Sequence, residues 1–282
     1  MPQRQTILIT GASSGLGEGM ARLFAAMGRD LALCARRVDR LEALQQELQH
    51  QHPNIRVLIK PLDVNDHDEV FNVFRQFHAE LGHLDRVIIN AGMGKGQPLG
   101  TGYFYANKQT AETNFIAALA QTEAAMEIFR QQNSGHLVMV SSISAMRGMK
   151  KNLTTYAATK AGVAMLAEGL RLELLDSPIV VTTVFPGFIR SEINEKVKNT
   201  PFIVDTEVGC RALVKAIEKE VDNASVPSWP WGPLGFAMRH LPLPMVGREY
   251  NMAGCFFFLL LLEDSLLHML TEVSRLHVKQ VC

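Results

Sequence analysis

Thr6-Ile7-Leu8-Ile9-Thr10-Gly11-Ala12-Ser13-Ser14-Gly15-Leu16-Gly17 is the stretch that decides the fold. Thr6 to Thr10 is a run rich in β-branched residues, and the glycine-bearing turn follows at once. Apolar residues then recur at helical spacing, at Met20, Ala21, Leu23, Phe24 and Met27, until Gly28 closes the helix. Strand, glycine turn and helix form the setting of a phosphate-binding loop. Glycines let the backbone approach a pyrophosphate, and the helix N-terminus offers free N–H groups and a partial positive charge. A tight strand-to-helix turn without a ligand would use the same residues. Its place at the first turn of an alternating chain favours the phosphate site.

Leu31 to Ala35 reads as the next strand, and Arg36-Arg37 ends it. A chain that binds NAD commonly sets Asp or Glu there, to accept from the ribose hydroxyls. A guanidinium pairs instead with a 2′-phosphate, which points to NADP; the plainer reading is two solvated arginines at a strand end. The alternation then continues. A helix around 39–50 precedes a strand around 55–61, which ends in Leu62-Asp63-Val64. A helix near 66–81 leads to a strand at 85–89 and then Asn90-Ala91-Gly92. A long helical segment over about 104–132 carries Asn114, and a strand at 136–141 ends in Ser141-Ser142. After the helix that holds Tyr156 come a strand at 179–185 ending in Pro186-Gly187, a helix over 206–221, and a short apolar stretch at 224–226. Such alternation gives βαβ units: an α/β fold, a doubly wound parallel sheet of the Rossmann type, with ligands outside the carboxyl ends of the strands. The glycine turn, Arg36, Asp63, Asn90, Ser142 and Pro186 all follow strand ends and share one rim.

Tyr156 and Lys160 are four residues apart in an Ala-rich helical stretch, so both lie on one helix face. A free phenol has a pKa near ~10; an adjacent ammonium favours phenolate and suits the phenol to proton transfer near neutral pH. A core tyrosine beside a surface lysine has the same spacing, so the pair takes its meaning from the rest of the chain. With Lys plus Arg equal to Asp plus Glu, 28 each, no global field argues for nucleic acid as a partner. The four cysteines, Cys34, Cys210, Cys255 and Cys282, show no paired or metal-ligand spacing, which fits a reduced, cytoplasmic setting and no metal site. Met1-Pro2-Gln3-Arg4-Gln5 leads straight into a strand with no apolar signal segment.

Thr10 to Gly17, Asp63-Val64, Asn90-Ala91-Gly92, Asn114, Ser142, Tyr156 with Lys160, and Pro186-Gly187 stand in the right order on the right elements. Over about residues 5–228 the chain resembles the short-chain dehydrogenase/reductase superfamily in its single-domain form. The resemblance implies a tetrad of Asn114, Ser142, Tyr156 and Lys160. Tyr156 would be the acid or base, and Ser142 would hold the substrate oxygen. Lys160 would lower the Tyr156 pKa and hold the nicotinamide ribose, and Asn114 would fix a water in a proton relay. The coenzyme, NADP(H), would lie along Gly11, Ser13, Ser14, Gly15, Leu16, Gly17, Arg36 and Arg37. Asp63 would bind the adenine with Val64 beside it, and Asn90, Ala91, Gly92, Pro186, Gly187, Ile189 and Ser191 would complete the site. Three departures stand out. Ile89 replaces a first Asn. Ser191 replaces a Thr while keeping a hydroxyl. Ser142 lies 14 residues before Tyr156, one more than the pattern, so Ser141 and Ser144 remain alternatives.

Met93, Gly94, Met146, Met149, Leu153, Phe188, Ile189, Phe202 and Ile203 are mostly apolar pocket candidates and suit a hydrophobic ketone, aldehyde or alcohol. Arg147, Lys150 and Lys151 suit an anionic group at the entrance, or a solvated loop. The expected function is NADP(H)-dependent carbonyl reduction or alcohol oxidation. Its rivals are an NADP(H)-binding regulator without turnover and an NAD-dependent epimerase or dehydratase. Residues 1–228 form the catalytic domain in this reading, and 229–282 an apolar C-terminal extension. Trp229-Pro230-Trp231, Pro233, Pro242 and Pro244, with Arg239, His240 and Arg248, suit a membrane interface or a lid over the pocket. Cys255 to Leu262 is apolar throughout, too short to span a bilayer, and suits docking in a homodimer or homotetramer or peripheral membrane contact.

Overall fold

The computed structural model describes residues 4–94, 96–192 and 202–244; the expectations for the apolar run at 255–262 and the helix beyond it lie outside them. Seven strands form one parallel sheet in the order β3-β2-β1-β4-β5-β6-β7. They are β1 (Thr6–Thr10), β2 (Asp30–Ala35), β3 (Val57–Pro61), β4 (Arg86–Ile89), β5 (Gly135–Val140), β6 (Ile179–Pro186) and β7 (Asn223–Val226). β1 is buried along its whole length, as a parallel strand covered on both faces must be. The side-chain period of two splits its residues between two cores. Ile7 and Ile9 face α1 (Gly15–Ala26), α2 (Val38–Gln51) and α7 (Thr206–Glu218). Leu8 faces α3 (His67–Leu81), α5 (Ala117–Gln132) and α6 (Thr154–Glu173).

The strand order reverses at β1, between β2 and β4, which opens a crevice at the carboxyl ends. The segment expected as one long helix is α4 (Phe104–Ala111), a single π-turn (Glu112–Ile116), then α5. Beyond β7 the proline-rich sequence forms α8 (Ser228–His240), with Trp229 out of helical geometry. Pro230 falls in the first turn, where a missing N–H loses no helical bond. α8 packs on β7, and Trp231 lies buried over Gly187. The expected boundary at 228/229 therefore falls at the first residues of a helix seated on the sheet domain. Among the described residues no helix is long and apolar enough to cross a membrane.

Candidate active site

The glycine turn takes its shape from what crosses beneath it. Gly11 has φ +66°, and a Cβ there would stand 2.9 Å from Ala91 Cα. At Gly17 a Cβ would stand 2.4 Å from the Gly11 carbonyl oxygen. Only glycine permits either approach. The brace is Asn90-Ala91: both backbone N–H groups donate to Thr10 Oγ1 at 3.1 Å, and Asn90 Nδ2 donates to the Thr10 carbonyl at 2.9 Å. Ser191 lies across the turn, 3.4 Å from where a Gly15 Cβ would be. The tightly packed glycine turn leading into the head of α1, with its free N–H groups, has the build of a phosphate-binding loop, so these residues fit a dinucleotide.

Gly92 brings two of the four tetrad residues together. A Cβ there would lie 3.2 Å from Asn114 Oδ1 and 3.5 Å from Lys160 Nζ. Asn114 sits in the π-turn, a local widening of the helix often found at functional sites. Its Oδ1 accepts from the Met93 N–H at 2.8 Å, and its Nδ2 donates to the Met93 carbonyl at 2.8 Å and to Thr159 Oγ1 at 3.3 Å. Lys160 is buried and donates from Nζ to the Val140 carbonyl at 2.9 Å. Burial lowers its pKa to about 8.

The Ser142 side chain lies near Tyr156 and acts on its phenol. Burial pushes the phenol above its ordinary pKa, against the smaller opposing effect of the Ser142 bond. Desolvation outweighs the Ser142 effect on the phenol, and the Lys160 ammonium donates to Val140. Of the three serines, Ser142 is the one whose side chain acts on Tyr156. Ser141 Oγ is committed to the Lys160 carbonyl at 2.7 Å, and the Ser144 N–H donates to Ser142 Oγ at 3.2 Å. The chain between Ser142 and Tyr156 makes two 3₁₀ turns, Ile143–Met146 and Lys151–Leu153, with Lys151 at φ +57°.

The arginines divide in a way the strand end did not reveal. Arg36 is 71% exposed and only 3.9 Å from Asp63. Arg37 turns onto the glycine loop, with Nη2 2.6 Å from Ser14 Oγ and Nε 3.3 Å from Ser13 Oγ. Asp63 Oδ1 accepts from the backbone and side chain of Asn65, at 3.0 and 2.9 Å, while Val64 is core. Pro186 is buried, and the Gly187 N–H donates to the Val226 carbonyl at 2.8 Å. The Ile189 side chain leaves the pocket for the core, against Gly209.

Over the rim sits an apolar cluster of Ile143, Trp231, Leu234 and Met238, with Met146, Met149, Phe188 and Phe202 packed against it. Phe188 and Phe202 meet the Trp231 ring edge-on at 5.4 and 6.2 Å. The segment around Trp229-Pro230-Trp231, read in the sequence as a membrane interface or a lid over the pocket, supplies Trp231 to this cluster. Arg40 and Glu192 were also missed; Arg40 falls one helical turn beyond Arg36 and Arg37. A separate groove of about 640 Å³, lined by residues such as Met165, Leu172 and Val181, opens where β6 begins, at the other end of the strands. Among the described residues no cluster of His, Cys, Asp or Glu suits a metal ion.

A dinucleotide cradle running into a Ser–Tyr–Lys group defines the class: an oxidoreductase that works with a nicotinamide coenzyme. Comparison with known proteins agrees. The family profile for short chain dehydrogenases matches residues 5–201. An uncharacterized oxidoreductase of Mycobacterium tuberculosis (strain CDC 1551 / Oshkosh) is 53% identical over 247 residues, 88% of this chain and 97% of that protein. 11-beta-hydroxysteroid dehydrogenase 1A of Arabidopsis thaliana is 30% identical over 244 residues, 80% of this chain and 69% of that protein. Among solved structures, a short-chain dehydrogenase from Sphingobium yanoikuyae in complex with NADPH is similar with a TM-score of 0.73 and 27% identity, covering 87% of this chain and all of that one. The chain belongs to the short-chain dehydrogenase family.

Proposed function

We propose that the protein interconverts a carbonyl and an alcohol on a hydrophobic small molecule, with NADP(H) as its coenzyme. The observation that carries this reading is the Tyr156–Ser142 hydroxyl pair on the rim that the apolar cluster around Trp231 overlies. The coenzyme would be held by the glycine turn, Ser13, Ser14, Arg37, Lys160 and Ser191; when bound, it supplies or takes up the hydride. Ser142 holds the substrate oxygen by a hydrogen bond. Tyr156, kept protonated by burial, gives its proton to that oxygen in reduction and takes it back in oxidation. The Lys160 ammonium then balances the phenolate that remains. Asn114 fixes Met93 and Thr159 beside Lys160 and orders a water that passes the proton on.

Arg36-Arg37 directly after β2, where an acidic residue would serve NAD(H), favour NADP(H), since a 2′-phosphate takes charge-assisted bonds from guanidinium. The NADPH complex of the Sphingobium relative agrees with this choice. The apolar cluster favours a bulky, weakly polar substrate, as does a relative named for a hydroxysteroid. The test is a panel of hydrophobic ketones, aldehydes and alcohols, read by NADPH absorbance, on wild type and Tyr156→Phe. Removing the phenol hydroxyl should cost at least ~100-fold in kcat, the scale of a general acid, with NADPH binding retained. Near-normal turnover in Tyr156→Phe would remove Tyr156 from the chemistry.

A further inference from the structure

Glu192, just beyond Ser191, reaches back across the crevice to the end of β2. One carboxylate oxygen accepts from Arg37 Nη1 at 2.9 Å, and the other pairs with Arg40 Nη1. Arg37 is itself anchored on the Ser13 and Ser14 hydroxyls of the glycine turn. Two guanidiniums converging on one anion, beside the turn that would receive the coenzyme, make a phosphate-type pocket that already holds a carboxylate. Arg36 lies outside this pair, being exposed and only loosely paired with Asp63.

We infer that Arg40 joins Arg37 in recognising the 2′-phosphate of NADP(H), and that Glu192 competes with that phosphate for the same two guanidiniums. Glu192 thereby sets how strongly the protein prefers NADP(H) over NAD(H). This inference rests on the NADP(H) reading above. A phosphate monoester carries about −1.5 to −2 charge and three acceptor oxygens, against one charge and two oxygens for the carboxylate, so the phosphate displaces it. NAD(H) has no such group and leaves the Glu192 pairs intact. The two arginines hold the Glu192 carboxyl down to about 2, so it stays ionised and competing across the working pH range. Its arginine partners are 40% and 47% exposed, and exposed pairs are individually weak, so the competition amounts to about three- to tenfold in affinity.

The experiment measures dissociation constants of the full-length protein for NADPH, NADH, adenosine 2′,5′-bisphosphate and 5′-AMP by titration calorimetry. Glu192→Gln should tighten NADPH and the bisphosphate by about three- to tenfold while NADH and 5′-AMP stay within about twofold. Arg40→Ala should weaken NADPH and the bisphosphate about tenfold and leave NADH unchanged. Equal tightening of both coenzymes in Glu192→Gln would overturn the inference, as would a weaker NADPH complex. A clear NADPH preference that Glu192→Gln leaves unchanged defeats this inference alone. If wild type and Glu192→Gln both bind NADH as tightly as NADPH, the NADP(H) reading falls with it.

Discussion

Tyr156 and Lys160 share one helix face, yet burial acts on them in opposite senses. It raises the phenol, whose charged form is the anion, and lowers the ammonium, whose charged form is the cation. Below a pH of about 8, Tyr156 is protonated and Lys160 is charged, the combination a carbonyl reduction requires. As pH rises through about 8, Lys160 loses its proton and the phenolate formed on proton transfer loses its counter-charge. The expected outcome is a kcat for reduction that is level at lower pH and falls through an apparent pKa near 8. A rate that stays flat from about pH 6.5 to about pH 9.5 would show that Lys160 does not titrate in the working enzyme. The neighbouring arginines follow the same logic of single positions. Ala35 closes the buried strand, Arg36 points to solvent, and Arg37 returns to the serines of the turn.

At the scale of elements, two departures from regular structure shape the site. The π-turn between α4 and α5 places Asn114 beside Gly92, where it holds the Met93 backbone through both ends of its amide. α8 supplies the second. A Cβ on Gly187 would sit 2.1 Å from the Trp231 indole, so the seat of that ring exists only because position 187 is glycine. Gly187→Val should unseat Trp231 at a cost of about 1–3 kcal/mol, the usual range for overpacking. With Trp229→Phe as background, Trp231 is the sole tryptophan of the chain. Its emission should move to longer wavelength in Gly187→Val, and the urea midpoint should fall. Unchanged emission and midpoint would mean that α8 is not held through this contact.

The molecule as a whole is pinned at the pole opposite the chemistry by a buried charge network. Arg86, 1% exposed, donates from Nε to His136 Nδ1 at 2.8 Å and pairs with Glu218 and Glu220. Glu220 also takes Arg4 at 2.8 Å, and Glu218 takes Arg29 at 3.3 Å. His136 Nε2 meets Thr182 Oγ1 at 2.9 Å. With Nδ1 accepting from Arg86, the ring is neutral, and burial together with the Arg86 and Arg4 charges holds its pKa well below the ordinary histidine value. The network ties the N-terminal segment, β4, β5, β6 and the end of α7 into one unit. Removing one member leaves an uncompensated buried charge, so Glu220→Gln should cost about 3–5 kcal/mol in urea unfolding. Because the network lies at the far ends of the strands, kcat should be retained at temperatures where the variant is folded. A loss below about 1 kcal/mol would place these pairs with ordinary surface ion pairs.

The sequence by itself determined the alternation of strand and helix, the phosphate-type turn between β1 and α1, and the placing of Tyr156 and Lys160 on one helix. Each of these is a local period: two for a buried strand, three to four for a helix face, and a glycine where backbone must approach backbone. Tertiary structure alone decided which serine meets Tyr156, which arginine turns to the glycine loop, that Trp231 joins the cluster over the rim, and that Glu192 closes on Arg37 and Arg40. It also set how far desolvation raises the Tyr156 pKa. These outcomes depend on groups far apart in the chain, Arg40 and Glu192 being separated by 152 positions. They depend as well on how completely water is excluded, and neither distance nor desolvation is encoded in a local pattern.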